Sequence, residues 1–220
     1  MRILVHPLPK YLSSDVCVLI DALRATCTIS AALANGASGV RPVKSIKEAL
    51  NFRGEALLAG ERNGVKVEGF DLGNSPNEMV DVKGKEIVLT TTNGTKAISM
   101  LKCNTVIAAS FPNISAIKGF ISSFDRVDLI CSGDNGEISL EDFLLAGMIA
   151  ELDENPTDAA RISQMYAKSV HNIKEEVLRS SHARHLIEIG FSKDIDFCMS
   201  IDTLDVVPIL KDGVFRRLIL

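Results

Sequence analysis

The stretch "EIVLTTTNGTKAI" (residues 86–98) decides how the chain is expected to fold. It begins as an apolar run, passes through three threonines and an Asn-Gly pair, and continues as a segment of helical character. A strand that ends and becomes a helix at such a point directs backbone N–H groups toward an anion. The stretch therefore predicts a strand, an anion-binding loop at residues 91–95, and a helix.

Similar apolar runs recur along the chain, and helix-like segments separate them. They are rich in β-branched side chains and lack polar alternation: "RILV" (2–5), "VCVLI" (16–20), "ALLA" (56–59), "TVIAA" (105–109) and "VDLIC" (127–131). Continuous apolar strands that alternate with helices are buried on both faces of a sheet. The sequence therefore predicts an α/β fold, with a single domain over residues 1–220 and a mostly parallel sheet sandwiched by helices.

Two segments carry the signals of a helix start. Ser45 with Glu48, and Ser75 with Glu78, have the spacing of a capping box. Pro76 also suits the first position of a helix, where its missing N–H costs nothing. Both segments are predicted to begin helices.

The chain changes character after residue 156. Up to about residue 200 it reads as long helices richer in charge. The segment "VVPILKDGVFRRLIL" (206–220) then offers two strands around Asp212-Gly213, a pair typical of tight turns. This segment predicts a C-terminal β-hairpin.

Composition restricts the classes of function. The chain has 220 residues, of which 46% are hydrophobic and 24% are charged. Its net charge of −4 and its shortage of tyrosine and tryptophan for base stacking, with two tyrosines and no tryptophan, argue against nucleic acid as a partner. No window approaches the roughly 20 apolar residues of a membrane span. The cysteines are odd in number and widely spaced, so they predict reduced, mostly buried thiols and a cytoplasmic protein: Cys17, Cys27, Cys103, Cys131 and Cys198. A homo-oligomer is compatible with the sequence.

Polar residues cluster where the predicted strands end. The clusters are Asp21, residues 60–62, residues 91–95, Ser110 with Asn113, and residues 132–134. In open α/β sheets ligands bind outside the carboxyl ends of the strands, so these clusters are expected to line one crevice. Loop chemistry and helix capping explain about half of such residues without any function.

The chemistry available to that crevice is limited. The P-loop, dinucleotide-binding and nucleophile-elbow motifs are all absent. Carboxylates, arginine, amides and hydroxyls remain, a set that suits Mg²⁺ together with a phosphate or sulfonate. The sequence therefore indicates hydrolysis of a small phosphate ester.

Three charged residues are the main catalytic candidates. Asp21 ends a buried strand, where a carboxylate is costly unless it is paired or binds a metal, so it is predicted to be a metal ligand or a nucleophile. Arg24 either pairs with Asp21 or binds an oxyanion. Glu61 is predicted to be catalytic and to bind the metal.

Further residues are predicted to bind substrate. In the loop at residues 91–95, Gly94 allows an anion to approach the backbone closely, and Thr95 is predicted to cap the following helix. The loop is therefore expected to form an anion cradle. The predicted substrate-binding set is Thr92, Asn93, Gly94, Thr95, Asn113 and Ser132.

Glu141 and Asp142 have two interpretations. Ser139 can cap a helix in which both acids lie in the first turn, where they stabilise the helix dipole. The same acids could instead supply carboxylates to Mg²⁺. His182 and His185 are spaced three apart without a third zinc ligand nearby, and they are interpreted as solvated helix residues.

Four motifs in order resemble those of a known family. "VLIDALRATCTISAALANGA" (18–37), "GERNGVKVEGFDLGNSPNEM" (60–79), "IVLTTTNGTKAI" (87–98) and "CSGDNGEISLEDFLLAGMI" (131–149) are similar to the 2-phosphosulfolactate phosphatase family. The later "DIDFCMSIDTLDVVP" (194–208) is similar as well. The resemblance implies a Mg²⁺-dependent α/β enzyme that hydrolyses 2-phospho-3-sulfolactate to 3-sulfolactate and phosphate, in the route to coenzyme M.

Two alternatives remain open from the sequence. One is an aspartyl-phosphate phosphatase with Asp21 as the covalent nucleophile, although position 23 is Leu where the haloacid-dehalogenase pattern has a second Asp. The other is a module that binds small anions in the crevice without catalysis. Turnover in the presence of metal distinguishes the second alternative from the enzymes.

Overall fold

The computed structural model describes residues 1–218 of the chain. Within these residues ten strands form one sheet: β1 (Arg2–His6), β2 (Val16–Ile20), β3 (Gly39–Pro42), β4 (Leu57–Arg62), β5 (Val65–Lys66), β6 (Glu86–Thr90), β7 (Thr105–Ala109), β8 (Arg126–Cys131), β9 (Pro208–Lys211) and β10 (Val214–Arg217). The predicted runs all form strands. The expected α/β class is therefore confirmed, as a single domain with a mostly parallel sheet.

Helices connect and cover the strands. Within residues 1–218 they are α1 (Ala25–Ala34), α2 (Ile46–Leu50), α3 (Gly94–Ile98), α4 (Ile114–Ile121), α5 (Leu140–Ala150), α6 (Asp158–Ser169), α7 (Ile173–Val177), α8 (Ser181–Glu188) and α9 (Ser192–Cys198). Short 3₁₀ turns lie at Pro76–Glu78 and Phe111–Asn113. None of the helices in this part of the chain is long and apolar enough to cross a membrane.

The sheet consists of two parallel blocks joined by an antiparallel hairpin. Its order is β1-β8-β2-β7-β9-β10-β3-β6-β4-β5. Strands β1, β8, β2 and β7 are mutually parallel, and so are β3, β6 and β4. The predicted hairpin, β9 and β10, is confirmed, and it lies between the blocks because β9 pairs with β7 and β10 pairs with β3. Residues 219 and 220 of its predicted segment lie outside the described residues.

Both faces of the sheet carry an apolar core. Every residue of β2 is buried. Val16, Val18 and Ile20 pack into one core with α4 and α5, whereas Cys17 belongs to the core that contains α1. Side chains alternate between the faces of a strand, so a continuous apolar run can supply both cores.

Two helix predictions and one strand end need correction. Ser45 accepts a hydrogen bond from Glu48 N as a capping box requires, but Ser75 makes no cap and instead donates to Asp194. After residue 156 the chain forms four separate helices of 12, 5, 8 and 7 residues, not long ones. The polar residues 60–62 also belong to strand β4, which turns directly into β5.

The cysteine prediction is wrong for one pair. Cys17 and Cys103 are joined by a disulfide, with a Cα–Cα distance of 6.1 Å across 86 residues of sequence. The remaining thiols, Cys27, Cys131 and Cys198, are free and buried as expected. Spacing along the sequence gave no signal for the pair, because the two cysteines come together only through the packing of β2 beside β7.

Candidate active site

A cavity of about 380 Å³ is lined by residues from both parallel blocks of the sheet and from α8. Asp21 lines it from the end of β2, Glu61 from β4, residues 91–93 from the end of β6, and Asp134 from the loop after β8. Four of the five predicted polar clusters therefore contribute to one cavity. The blocks run in opposite senses because two antiparallel strands join them, yet residues at the carboxyl ends of strands from both blocks line this cavity.

Asp21 is a nearly buried carboxylate at the cavity wall. Its side chain is 6% exposed, and Oδ1 accepts a hydrogen bond from Ala25 N at 3.1 Å, in the first turn of α1. Burial raises the pKa of Asp21 to about 6, and the charge of Glu61 acts in the same direction. The chain therefore holds an acid in the cavity that is costly to ionise unless a cation approaches it.

Gly94 allows that acid to lie where it does. A Cβ on Gly94 would lie 2.6 Å from Asp21 Oδ2 and 3.0 Å from Ala25 Cβ. A side chain at position 94 would therefore collide with the carboxylate of Asp21. Glycine at this position fixes the contact between the loop after β6 and the start of α1.

Arg24 is held by partners from distant parts of the chain. Its guanidinium is 2% exposed, donates from Nη1 to Asp194 Oδ2 and from Nη2 to the carbonyl of Gly64, both at 2.6 Å, and stacks 4.2 Å above the ring of Phe191. The predicted pairing with Asp21 is therefore replaced by a pairing with Asp194. Since a guanidinium has five N–H donors, others remain for a ligand in the cavity that Arg24 lines.

Glu61 binds the predicted anion loop directly. Its Oε1 accepts from Thr92 N at 2.7 Å, and its Oε2 accepts from Gly64 N at 2.8 Å and from Thr92 Oγ1 at 3.1 Å. The amide and hydroxyl of Thr92 are therefore occupied by a carboxylate of the protein. This leaves Glu61 as a brace between β4 and the loop, with little spare capacity as a ligand.

The loop after β6 is stabilised by its own hydroxyls. Thr95 N, in the first turn of α3, donates to Thr91 Oγ1 at 3.2 Å, and Thr95 Oγ1 donates back to the carbonyl of Thr91 at 2.8 Å. Thr95 does not cap α3, because the N-cap residue is Asn93, whose side chain makes no capping hydrogen bond. Thr95 is 4% exposed and lies outside the cavity lining, whereas Asn93 lines the cavity and donates to Asp134 Oδ1 at 3.4 Å. Of the four residues of this loop that were predicted to bind substrate, Thr92 and Asn93 line the cavity, and Thr91 lines it as well.

Asn113 lies outside the cavity. It is fully buried, its Oδ1 accepts from Ser110 N at 2.8 Å, and its Nδ2 donates to the carbonyls of Ala108 and Val206 at 3.3 and 3.0 Å. Both ends of the amide are therefore used within the fold. The structure corrects the prediction for Asn113 from substrate contact to the turn after β7.

Asp142 joins two loops behind the cavity. It is 2% exposed; Oδ1 accepts from Ala22 N at 2.8 Å, and Oδ2 accepts from Ser132 Oγ at 3.1 Å and Gly133 N at 3.2 Å. Burial raises the pKa of Asp142 well above its usual value, and the charges of Asp21 and Glu141 add to this. Asp142, which also holds Ser132, thus positions Ala22, the residue after Asp21. Neither Asp142 nor Ser132 lines the cavity.

Replacing Asp142 tests this arrangement. In Asp142→Asn an amide N–H₂ would face the backbone N–H of Gly133, leaving a buried donor unpaired, at a cost of about 1–3 kcal/mol in the free energy of unfolding. Turnover by the folded protein is expected to stay within about tenfold. Urea denaturation and initial rates measure the two effects.

Asp158→Asn is the matched control. Asp158 also lies in the first turn of a helix, α6, but it is exposed, so only the dipole contribution of roughly 0.3–1 kcal/mol is lost. Equal losses in the two variants would show that Asp142 stabilises only its helix.

Glu141 contacts His182, which the sequence interpretation placed in solvent. Glu141 is 1% exposed, and its Oε1 lies 3.0 Å from Nδ1 of His182, which lines the cavity. His185 also lines it, with Nε2 3.2 Å from the carbonyl of Asn63. The interpretation as a solvated residue is wrong for His182, whose side chain is 19% exposed, whereas His185 is exposed as expected. Their spacing on one face of α8 was the available signal, since residues three apart lie on the same side of a helix.

The oxygen donors of the cavity fit a magnesium ion better than they fit a transition metal. Among residues 1–218 no group of three or more His, Cys, Asp or Glu side chains is placed to hold a metal ion. Mg²⁺ is usually held by one or two carboxylates plus substrate phosphates and water. Asp21 and Glu61 line the cavity, and so does Asn74, whose buried Oδ1 has no hydrogen-bond partner in the described part of the chain.

The other two predicted metal ligands do not fit that site. Glu141 is paired with His182, and Asp142 is occupied by two backbone amides and a hydroxyl. Neither side chain lines the cavity. The structure therefore separates the four predicted carboxylates into two that face the cavity and two that lie behind it.

Together, the α/β fold and a cavity that combines buried acids with arginine and histidine define an enzyme for a small anionic substrate. The chain belongs to the 2-phosphosulpholactate phosphatase family, whose model matches residues 3–213. This confirms the resemblance of the four motifs and places the protein among the phosphoric monoester hydrolases.

Relatives with the same description are similar over nearly the whole chain. A probable 2-phosphosulfolactate phosphatase of Thermotoga petrophila is 52% identical over 204 residues, covering 90% of each chain. Proteins with the same name from Thermotoga maritima and Pseudothermotoga lettingae are 51% and 46% identical, covering 90% and 96% of each chain.

Proposed function

We propose that the protein hydrolyses 2-phospho-3-sulfolactate to 3-sulfolactate and phosphate with the help of Mg²⁺. The observation that carries the proposal is the cavity itself, which is lined by the acids Asp21 and Glu61 together with Arg24 and His182. The names of the relatives support the same substrate. A role in a route to coenzyme M, a cytoplasmic setting and homo-oligomer formation belong to this proposal as well.

The residues of the cavity have complementary tasks in the proposed reaction. Arg24 binds non-bridging oxygens of the phosphate or the sulfonate with its remaining N–H groups, and Asn93 donates to the same substrate from the loop after β6. Asp21, braced by Ala25 N, and Asn74 Oδ1 are the oxygen donors that would hold Mg²⁺, with Glu61 beside them. Bound Mg²⁺ would neutralise phosphate charge and orient the attacking water.

Magnesium dependence is the direct test. Phosphate release from 2-phospho-3-sulfolactate is expected to require Mg²⁺, to cease in excess EDTA, and to return when Mg²⁺ is restored. The reason is energetic, because a single hydrogen-bond donor supplies only about 3–4 kcal/mol of transition-state stabilisation while the slowest monoesters require on the order of 28 kcal/mol. Full activity in EDTA would exclude the metal from the proposal.

The unsulfonated 2-phospholactate serves as the substrate control. It keeps the phosphate and the carboxylate but lacks the second strong anion, so its kcat/KM is expected to be lower. Equal kcat/KM for the two substrates would show that no group in the cavity recognises the sulfonate. Binding of both compounds without release of phosphate would favour the non-catalytic anion-binding module.

A further inference from the structure

The ion pair between Glu141 and His182 lies in the wall of the cavity, and the tasks proposed for the other cavity residues do not involve it. His182 is the second residue of α8, and its side chain is 19% exposed. Its Nδ1 is 3.0 Å from Oε1 of Glu141, which is 1% exposed. Among residues 1–218 this is the hydrogen bond that the ring makes, so Nε2 is the nitrogen left for a ligand in the cavity that His182 lines.

The proposed reaction needs a proton at one atom. Attack of water on phosphorus forms a new P–O bond and breaks the bond to the ester oxygen, which keeps the electron pair. This oxygen belongs to a secondary alcohol, and its alkoxide is a poor leaving group unless a proton reaches it as the bond breaks. The attacking water loses a proton in the same turnover, so a donor can be restored without any other reactant.

We propose that His182 is the general acid of the reaction, with Nε2–H donating to the ester oxygen of the substrate, and that Glu141 is the positioning residue that fixes the ring through Nδ1. This inference rests on the proposed phosphatase function. His182 then recovers its proton from the attacking water, so the sum is one ester and one water converted to one alcohol and one hydrogen phosphate.

Neighbouring charges keep the proton on His182. Burial alone would lower the pKa of His182, but the hydrogen bond and charge of Glu141 raise the pKa to about 9, and the charges of Asp134 and Asp21 act in the same direction. The same pairing lowers the pKa of Glu141 in spite of its burial. At neutral pH the pair is therefore an imidazolium and a carboxylate.

The other nitrogen-bearing basic side chains of the cavity, Arg24 and His185, are less suited to this step. Arg24 carries a guanidinium, which does not give up its proton in proteins. His185 is exposed, and its Nε2 is engaged by the carbonyl of Asn63 at 3.2 Å. Among the three, His182 alone has both a buried carboxylate partner and a ring nitrogen free for the cavity.

Two substrates with different leaving groups test the role of His182. The ester 2-phospho-3-sulfolactate needs a proton on its leaving oxygen, whereas p-nitrophenyl phosphate releases a stabilised phenolate without one. His182→Asn is expected to lower kcat/KM for the first substrate by about 10²–10⁴-fold and for the second by less than about tenfold. His171→Asn, at an exposed histidine outside the cavity, is the control and is expected to change neither.

Glu141→Gln separates positioning from folding. Glutamine keeps an oxygen that can accept from Nδ1 but removes the charge, so the ratio of the two kcat/KM values is expected to shift in the same direction by a smaller factor. Melting temperatures of all variants show whether they fold. Equal losses on both substrates, or no loss in His182→Asn, would overturn the inference while leaving the phosphatase proposal intact. No release of phosphate from 2-phospho-3-sulfolactate by the wild type would overturn both.

Discussion

Asp21→Asn is expected to lower turnover of the phosphate ester by about 10³-fold or more while leaving the metal-free protein as stable as the wild type or more stable. The loss of activity has the size observed when a group that acts at the reacting atoms is removed. The stability follows from burial, since asparagine can still accept the hydrogen bond from Ala25 N without placing a charge beside Glu61. Initial rates and thermal melts without metal measure the two effects.

The pH dependence of stability gives an independent measure of the same residue. In the folded protein the pKa of Asp21 is about 6, above its usual value of 3.8, so the folded chain retains a proton that the unfolded chain has released. The stability due to this proton is complete below about pH 4 and is lost as the pH rises through about 6. Metal-free wild type should therefore lose stability in this window relative to Asp21→Asn.

Asp202→Asn is the control for both measurements. Asp202 also accepts a backbone N–H at the start of a helix, from Ser115 at 2.7 Å, but it lies away from the cavity. Its replacement is expected to leave turnover unchanged. An active Asp21→Asn enzyme would remove Asp21 from the proposed mechanism.

Arg24→Lys is expected to cost stability as well as activity. Lysine keeps the charge, but one ammonium cannot bond both Asp194 and Gly64 and also stack on Phe191 as the guanidinium does. Since breaking a buried pair outright costs about 3–5 kcal/mol, the partial loss is expected to reduce the free energy of unfolding by about 2–4 kcal/mol. The kcat/KM of the folded enzyme is expected to fall by roughly 10–10³-fold, because a charge-assisted donor to the substrate is misplaced.

A surface arginine provides the comparison. Arg179 pairs with Glu176 one turn away at 3.3 Å, and its side chain is 75% exposed. Arg179→Lys is therefore expected to change the free energy of unfolding by less than about 0.5 kcal/mol. If urea denaturation gives the same small change for Arg24→Lys, the buried network does not contribute to stability in the way its geometry indicates.

The strands of the fold could be predicted because a strand that is buried on both faces is apolar along its whole length. "VCVLI" is apolar at every position since both of its faces are covered. The Asp212-Gly213 pair likewise marks the turn of the C-terminal hairpin. The place of the hairpin in the sheet could not be predicted in this way. The pairing of β9 with β7 joins residues about a hundred positions apart, and no periodicity within either strand encodes it.

The candidate site was predictable where chemistry and position along a strand coincide. Asp21 and Glu61 are charged residues at strand ends, and both line the cavity. Asn113 follows a strand in the same way but turns its amide inward, which the sequence cannot distinguish from a ligand contact. His182 was missed because its partner, Glu141, lies 41 residues earlier on another helix.

The central position of the hairpin has a consequence for biosynthesis. The ribosome makes β9 and β10 after all the other described strands, yet these two strands provide the only ladder between the parallel blocks within residues 1–218. Until residues 208–217 have emerged, each block presents an unpaired strand edge, on β7 and on β3, and such edges promote aggregation of nascent chains. A chain that ends before residue 208 therefore leaves β7 and β3 without their partners, and it is expected to aggregate more readily than the full chain.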